Sequence, residues 1–559
     1  MAKRTKQSVI ILLYFFSLLF ITNCANQLPP GGGEVDKIPP EIISTYPENE
    51  TINFHDNYIE IEFSEYVDKR TFKDALFISP ALNEQPEISW TGTSVEIYFP
   101  AGLKDSVTYV VTIGTDVVDV NNKNRMANSF SFSFSTGDKI DRRTISGKVY
   151  GKEKEGSLIF AYKIKDDTTK YLINKPDYIS QTGKEGDYRL KGLAESGYRV
   201  FAVKDQFRDL LYQADQDWIG LPSGDVSLVG PDSSFSGLDF RLMKVDTLKP
   251  RLLSSVMTDR NHIIVSYSEQ CDSASYSKFN YKLIDSTSNL VLPVNYSYAS
   301  KSKKEDFVLG ITDSVKSDHI YYLLAEKLTD LTGNIFVHEL SPVVASVKAD
   351  TSAPILYKTL PDKNSSIDFQ NAVIKLYFDD AITGQGIKNA VQFSDTSKNK
   401  IEFNLSFNDD ATVYIKPAGN LKPETSYQVR IDLSKFTDAA GNKRDSVFVL
   451  NFQTITGTEF TGLSGKLITE KKNVIVVLQN SKDETKFYTA QPDKTTTYSF
   501  VRIEPGTYSV WVFSDTDNSK TFSYGYPDPF RFSEEFKVVA DTLKLRPRWS
   551  ITDYNIEFK

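Results

Sequence analysis

The chain has 559 residues, 40% of them hydrophobic, and carries 73 acidic against 65 basic side chains for a net charge of −8. A chain this long buries several cores, about four or five domains at ~100–150 residues each. Its lysines and arginines are scattered among the acids, which argues against a phosphate-tracking surface and so against nucleic acid as a partner.

At the N-terminus Lys3, Arg4 and Lys6 precede an apolar run from Val9 to Ile21, broken by one serine, and then Thr22-Asn23-Cys24. The run is well short of the ~20 residues a spanning helix needs. Basic, apolar, then short and polar is the order of a secretory signal, predicted over residues 1–23. Because it ends at Cys24, it resembles a bacterial lipoprotein signal. That resemblance implies an acylated Cys24 and attachment to a membrane through the lipid. Residues 24–36, including the Pro/Gly stretch Leu28 to Asp36, read as a flexible tether. With Cys24 lipidated, Cys271 has no partner for a disulfide, and the exported modules must hold by packing. Cys271 reads as a small strand-end residue.

The body is a repeat of two module types. An A module, predicted over 37–138, opens with Asp36-Lys37-Ile38-Pro39-Pro40. It continues through Tyr109-Val110-Val111-Thr112-Ile113 and closes with the alternating strand Phe130-Ser131-Phe132-Ser133-Phe134. The same series recurs 318 residues later, Tyr109 matching Tyr427 and Phe134 matching Phe452, in an A module over 350–457. A divergent copy over 246–349 opens with Asp246 and Pro250. Each copy ends near a turn rich in Asp, Gly and Asn: Asp119 to Asn122, Asp330 to Asn334, and Asp438 to Asn442. Gly and Asn tolerate the positive φ of tight turns, so these aspartates read as turn formers.

A B module follows the first and last A modules, over 139–245 and 458–559. Its signature is Ser146-Gly147-Lys148 with Tyr188, and again Ser464-Gly465-Lys466 with Tyr498. Period-two alternation between Gly and Pro punctuation predicts strands throughout. The expected fold is all-β: tandem β-sandwiches in the order A, B, A, A, B, set end to end as a rod.

The A modules resemble the bacterial Ig-like domains first described in S-layer proteins, on the Asp-x-x-Pro-Pro opening, Pro47-Glu48-Asn49, Ile61-Glu62-Phe63-Ser64-Glu65 and the closing Phe-x-Phe strand. The B modules resemble the prealbumin-like regulatory domain of carboxypeptidases, on Ser-Gly-Lys-Val and Gly-x-Tyr-x-Val. The whole arrangement is similar to Ig-like lipoproteins of Bacteroidota. It implies an envelope location, lipid-anchored at the outer membrane, and brings no catalytic residues with it.

The four histidines, His55, His262, His319 and His338, show no metal-ligand spacing such as His-x-x-x-His. Asp515, Asp517 and Asn518 follow a strong strand and place three oxygen-bearing side chains in one short loop, a candidate calcium grip set against a plain turn. Trp218, in the loop-like run Asp215 to Gly220, is the candidate exposed aromatic for ligand stacking. Phe522, Tyr524, Tyr526 and Phe530 read as a cover for the open edge of the last sandwich. The expected role is a non-enzymatic, lipid-anchored envelope spacer or binding module with a protein or glycan partner. The alternative is a glycan-binding lipoprotein serving polysaccharide uptake. A hydrolase using paired carboxylates is the third class.

Overall fold

The computed structural model describes residues 36–559 except 81, 83, 166–169, 231–232 and 385. Strands make up 46% of it and helix 4%, so the cores are built mainly by sheets. The predicted signal, Cys24 and nearly all of the tether lie outside the described residues. The chain divides into two compact units. One runs to Ala202 and includes Asp225–Leu238; the other comprises Val203–Gly224 and Asp239–Lys559.

In the first unit, the first A module is a sandwich. One sheet orders Ile42–Tyr46, Tyr58–Phe63, Ser94–Tyr98 and Glu87–Thr91; the other orders Leu76–Ser79, Thr108–Ile113 and Phe130–Ser135. Alternation decides which side faces inward. In Tyr58–Phe63, Ile59, Ile61 and Phe63 are buried while Glu60 and Glu62 point outward or to the rim. Each fully buried Ile or Phe contributes about 1.5–3 kcal/mol relative to exposure. One element has no periodic signal long enough to read from sequence, the helix Lys69–Ala75. Asp68 caps it by accepting from the Arg70 amide at 3.1 Å, and it buries Phe72 and Ala75.

The second and third A modules, both in the second unit, repeat this plan with four strands in each sheet. The divergent middle copy closes with Glu339–Val343, paired in unbroken register to Tyr321–Ala325. Its Pro342 is tolerated because this strand forms the sheet edge. All three A modules share one internal device. A backbone N–H donates to a tyrosine hydroxyl five residues on: Lys104 to Tyr109 at 2.9 Å, Lys316 to Tyr321 at 3.0 Å, Lys422 to Tyr427 at 2.8 Å.

The B signature has a steric cause. A Cβ on Gly147 would lie 2.0 Å from the Leu238 carbonyl oxygen, and one on Gly465 would lie 2.0 Å from that of Tyr554. The hydroxyls of Tyr188 and Tyr498 donate to those same two carbonyls. Glycine is required because another backbone crosses directly over it.

In the last B module Val510 and Val512 face the core while Trp511 and Phe513 face the opposite side. Phe522 packs edge-on against Trp511, Phe513, Tyr524 and Phe536. Phe522, with Tyr524 against it, therefore covers the outer face of this sheet rather than its edge, while Tyr526 and Phe530 lie in the separate hairpin of Tyr526–Pro527 and Phe530–Arg531. Segment 203–224 also meets this module: the Ser533 amide donates to the Pro222 carbonyl at 3.0 Å.

Candidate functional site

The candidate calcium loop does gather carboxylates, with one change of membership. Asp515 and Asp517 lie within 4.8 Å of Glu534, which comes from 17 residues farther along than Asp517. Asn518 turns instead to Asn473, accepting from its amide at 2.9 Å. Asp515 accepts from the Ser519 and Lys520 amides, and Glu534 from the Thr516 and Ser523 amides. Asp515 is thus a turn former, while Glu534 ties two distant loop amides together.

Trp218 sits in the short strand Trp218–Gly220, paired with Met243–Lys244, and is half-buried. Trp90 packs against Phe63 and Phe72, and Trp511 lies under the Arg241 guanidinium at 4.2 Å. The exposed tryptophan is Trp549, at 76%. It sits where Arg546 and Trp549 form an isolated bridge, and its carbonyl accepts from Thr461. Lacking strand alternation, that position gives no sequence sign of which way the ring points.

The A modules bring together a second set of carboxylates that sequence spacing hides. The opening aspartate, the acid after the second strand and the turn aspartate converge: Asp36, Glu65 and Asp119 in the first copy, Asp246, Glu269 and Asp330 in the second. The turn aspartate is pinned by its own turn. Asp119 accepts from the amides of Asn122, Lys123 and Asn124, and Asp330 from those of Thr332, Gly333 and Asn334. The asparagine side chain then donates to the backbone carbonyl of the opening aspartate, Asn124 to Asp36 at 3.1 Å, Asn334 to Asp246 at 3.0 Å and Asn442 to Asp350 at 3.3 Å. Burial and the neighbouring carboxylates Asp119 and Asp36 push the Glu65 carboxyl up; burial, Asp246 and Asp330 do the same to Glu269.

The third copy differs because the preceding module reaches into it. His262, at the start of strand His262–Tyr267, places Nδ1 2.9 Å from Asp259 and Nε2 3.0 Å from Asp380. Burial opposes its charge, but the hydrogen bonds to Asp259 and Asp380 outweigh burial and lift the imidazole to about 10. Asp380 also accepts from the Tyr298 hydroxyl and the Ala381 amide. Tyr298 belongs to the middle module by sequence yet is 3% exposed within the core of the third. Around it the Ser297 amide donates to Asp410 at 2.8 Å and Lys301 pairs with Asp379 at 2.9 Å.

At two other joints a polar side chain reaches across. Between the first A and B modules, the buried Gln181 accepts from the Thr115 amide at 2.6 Å and donates to Asp116 at 3.2 Å. Gly114 leaves the space, since a Cβ there would lie 2.1 Å from the Gln181 oxygen. Between the third A and the last B module, Arg502 pairs with Asp368 and stacks over Phe369 and Phe460.

Residues 36–136 and 350–454 match the bacterial Ig-like domain family. Two modules are bacterial Ig-like domains. No curated protein sequence matches the chain. Among solved structures, it is similar to the N-terminal part of the bacterial S-layer protein SbsC, with 13% identity over 37% of this chain and 44% of that one at a TM-score of 0.17. It is also similar to domains 1–6 of SbsC, with 11% identity over 91% of this chain and 67% of that one at a TM-score of 0.17. An L,D-transpeptidase from Mycobacterium smegmatis matches at 13% identity over 23% of this chain and 63% of that one, with a TM-score of 0.15. The chain thus spans less than two thirds of the first two structures it matches. Likenesses this distant carry no activity across to the Ig-like modules.

Sequence reading missed Glu534, the His262 bridge and Tyr298. The Asp259-x-x-His262 spacing was a usable signal, because Asp259 caps the turn that aims the ring, accepting from the Asn261 and His262 amides. The Asp380 end of the bridge lies 118 residues away and leaves no local trace.

Proposed function

We propose that the chain is a lipid-anchored cell-envelope protein that acts as a non-enzymatic spacer, holding its Ig-like modules and their binding surface off the membrane. The supporting observation is that adjoining modules are locked by Gln181, His262 and Arg502 reaching across their joints. A spacer has to resist bending where sandwiches meet, and paired polar contacts, buried at Gln181 and partly exposed at Arg502, favour one arrangement. Attachment through acylated Cys24 supplies the anchor: each buried acyl CH₂ contributes about 0.8 kcal/mol, so two or three chains hold nearly permanently.

The test is fractionation of cells making the wild-type or Cys24→Ala protein, with protease added to intact cells. Membrane retention of the wild type and release of Cys24→Ala into soluble fractions is the expected result. Equal retention of both overturns the anchor. Loss to protease on intact cells places the modules outside, whereas protection until the outer membrane is opened places them in the periplasm. The exposed ring of Trp549 favours glycan capture as a second reading. Affinity electrophoresis in envelope polysaccharides tests it: retardation that Trp549→Ala abolishes supports glycan binding, and unchanged mobility removes it.

A further inference from the structure

We propose that His262, Asp350 and Asp380 form a binding site for a divalent transition-metal ion of the Zn²⁺ type, built across the joint of the second and third A modules. The inference stands apart from the membrane anchor and holds or fails without it.

Four observations carry it. First, one ligand atom from each of these three residues lies within 4.8 Å of the others. Imidazole nitrogen with two carboxylate oxygens is a zinc-type donor set, with the fourth position left to water. Second, the spacing fits. Two ligands held ~2.0–2.2 Å from a tetrahedral ion lie about 3.3 Å apart, and His262 Nε2 stands 3.0 Å from Asp380 Oδ1. The Nε2 proton now bridges this gap, and an ion ~2.0–2.2 Å from both atoms would sit beside the line that joins them.

Third, the outer partners are in place. His262 is aimed through its other nitrogen by Asp259 at 2.9 Å, and Asp380 is held by the Tyr298 hydroxyl. Metal-binding histidines characteristically give their second N–H to a carboxylate. Fourth, Asp350 has an unanswered atom. Its Oδ1 accepts from the Ser352 amide at 3.0 Å, but its Oδ2 is buried and meets no donor. A buried carboxylate oxygen without a partner is costly, and a cation shared with Asp380 and His262 satisfies it. Asp438 adds a further negative charge beside Asp350.

The nitrogen ligand separates this site from the all-oxygen carboxylate triads of the other two modules, and oxygen-seeking Ca²⁺ and Mg²⁺ fit it poorly. Binding replaces the Nε2 proton: the nitrogen lone pair goes to the ion and the proton leaves to solvent.

The test uses the full chain, freed of metal with a chelator and titrated with Zn²⁺ against a chromophoric chelator. Co²⁺ in parallel reports coordination by visible absorption. One tight equivalent is expected, with a four-coordinate Co²⁺ spectrum and no displacement by millimolar Ca²⁺. His262→Ala should abolish it, and Asp350→Asn, which keeps the Ser352 contact, should weaken it at least tenfold. Asp259→Asn should weaken it about 10–100-fold. Thermal melts of the metal-free variants confirm that each is folded. If Asp350→Asn melts early, Asp259→Asn decides. Absence of a tight equivalent, displacement by Ca²⁺, or wild-type affinity in the folded variants overturns the site.

Discussion

The hydroxyl of Tyr498 donates to the carbonyl of Tyr554, and that carbonyl lies directly over Gly465. The segment leading into the last strand is thus bonded to the strand Thr497–Ile503 and in backbone contact with the strand that begins the module, Thr461–Ile468. Gly465→Ala should destabilise the last module by about 3 kcal/mol, since a methyl 2.0 Å from a backbone oxygen forces the backbone to move. Tyr498→Phe should cost about 1–2 kcal/mol by removing that carbonyl's donor. Denaturant melts measure both. A Gly465→Ala midpoint equal to wild type would show that the crossing is looser than described.

Tyr298 offers a test of joint stiffness. Tyr298→Ala should destabilise the third A module, although the residue belongs to the second, by about 3–5 kcal/mol as for other buried aromatics. Spin labels on exposed sites of the two modules should show a broader distance distribution in the variant. An unchanged distribution would mean that the joint is held elsewhere.

Cys271 is 2% exposed, and burial pushes its thiol up to about 12, aided by Glu269, Asp272 and Asp330. The thiolate is the reactive form. Folded protein at pH 8 should therefore react with a thiol reagent only as fast as the module opens, and fully in denaturant. Rapid labelling of the folded chain would contradict this burial.

Burial would raise the Asp285 carboxyl, but hydrogen bonds from Ser288 and His319 outweigh it and hold it well below the usual carboxylate range. A depressed carboxyl contributes stability that is full above its unfolded pKa near ~3.9 and is lost as pH falls through the folded value. Asp285→Asn should lower stability at pH 7 and flatten its decline below about pH 4. Equal acid slopes for wild type and variant would remove Asp285 from that decline.

The repeat was legible because strand alternation and glycine are local signals. Gly147 and Gly465 stand at matching positions because the same backbone crossing recurs, and Tyr109 and Tyr427 because the same hydroxyl contact does. The turn aspartates also behave as read, taking up their own loop's amides. What was hidden depends on residues far apart in the chain. Glu65 reaches Asp119, Glu534 reaches Asp515, and His262 reaches Asp380 only once sheets have packed. Spacing along one segment carries no record of such meetings. Side-chain direction is also lost wherever alternation stops, which is why Trp218, read as exposed, is half-buried and the exposed ring of Trp549 carries no sequence signal.

The hydrogen bond from the Asn124 side-chain amide to the Asp36 carbonyl joins positions 88 residues apart, and Asn334 to Asp246 and Asn442 to Asp350 join positions 88 and 92 apart in the other two copies. Each A module is therefore laced at its mouth by a residue near its far end. Traction arriving at Asp36 is shared with the Asp119 turn through this hydrogen bond. Because the turn lies near the end of each module, the lacing cannot form until nearly all of the module is free to fold.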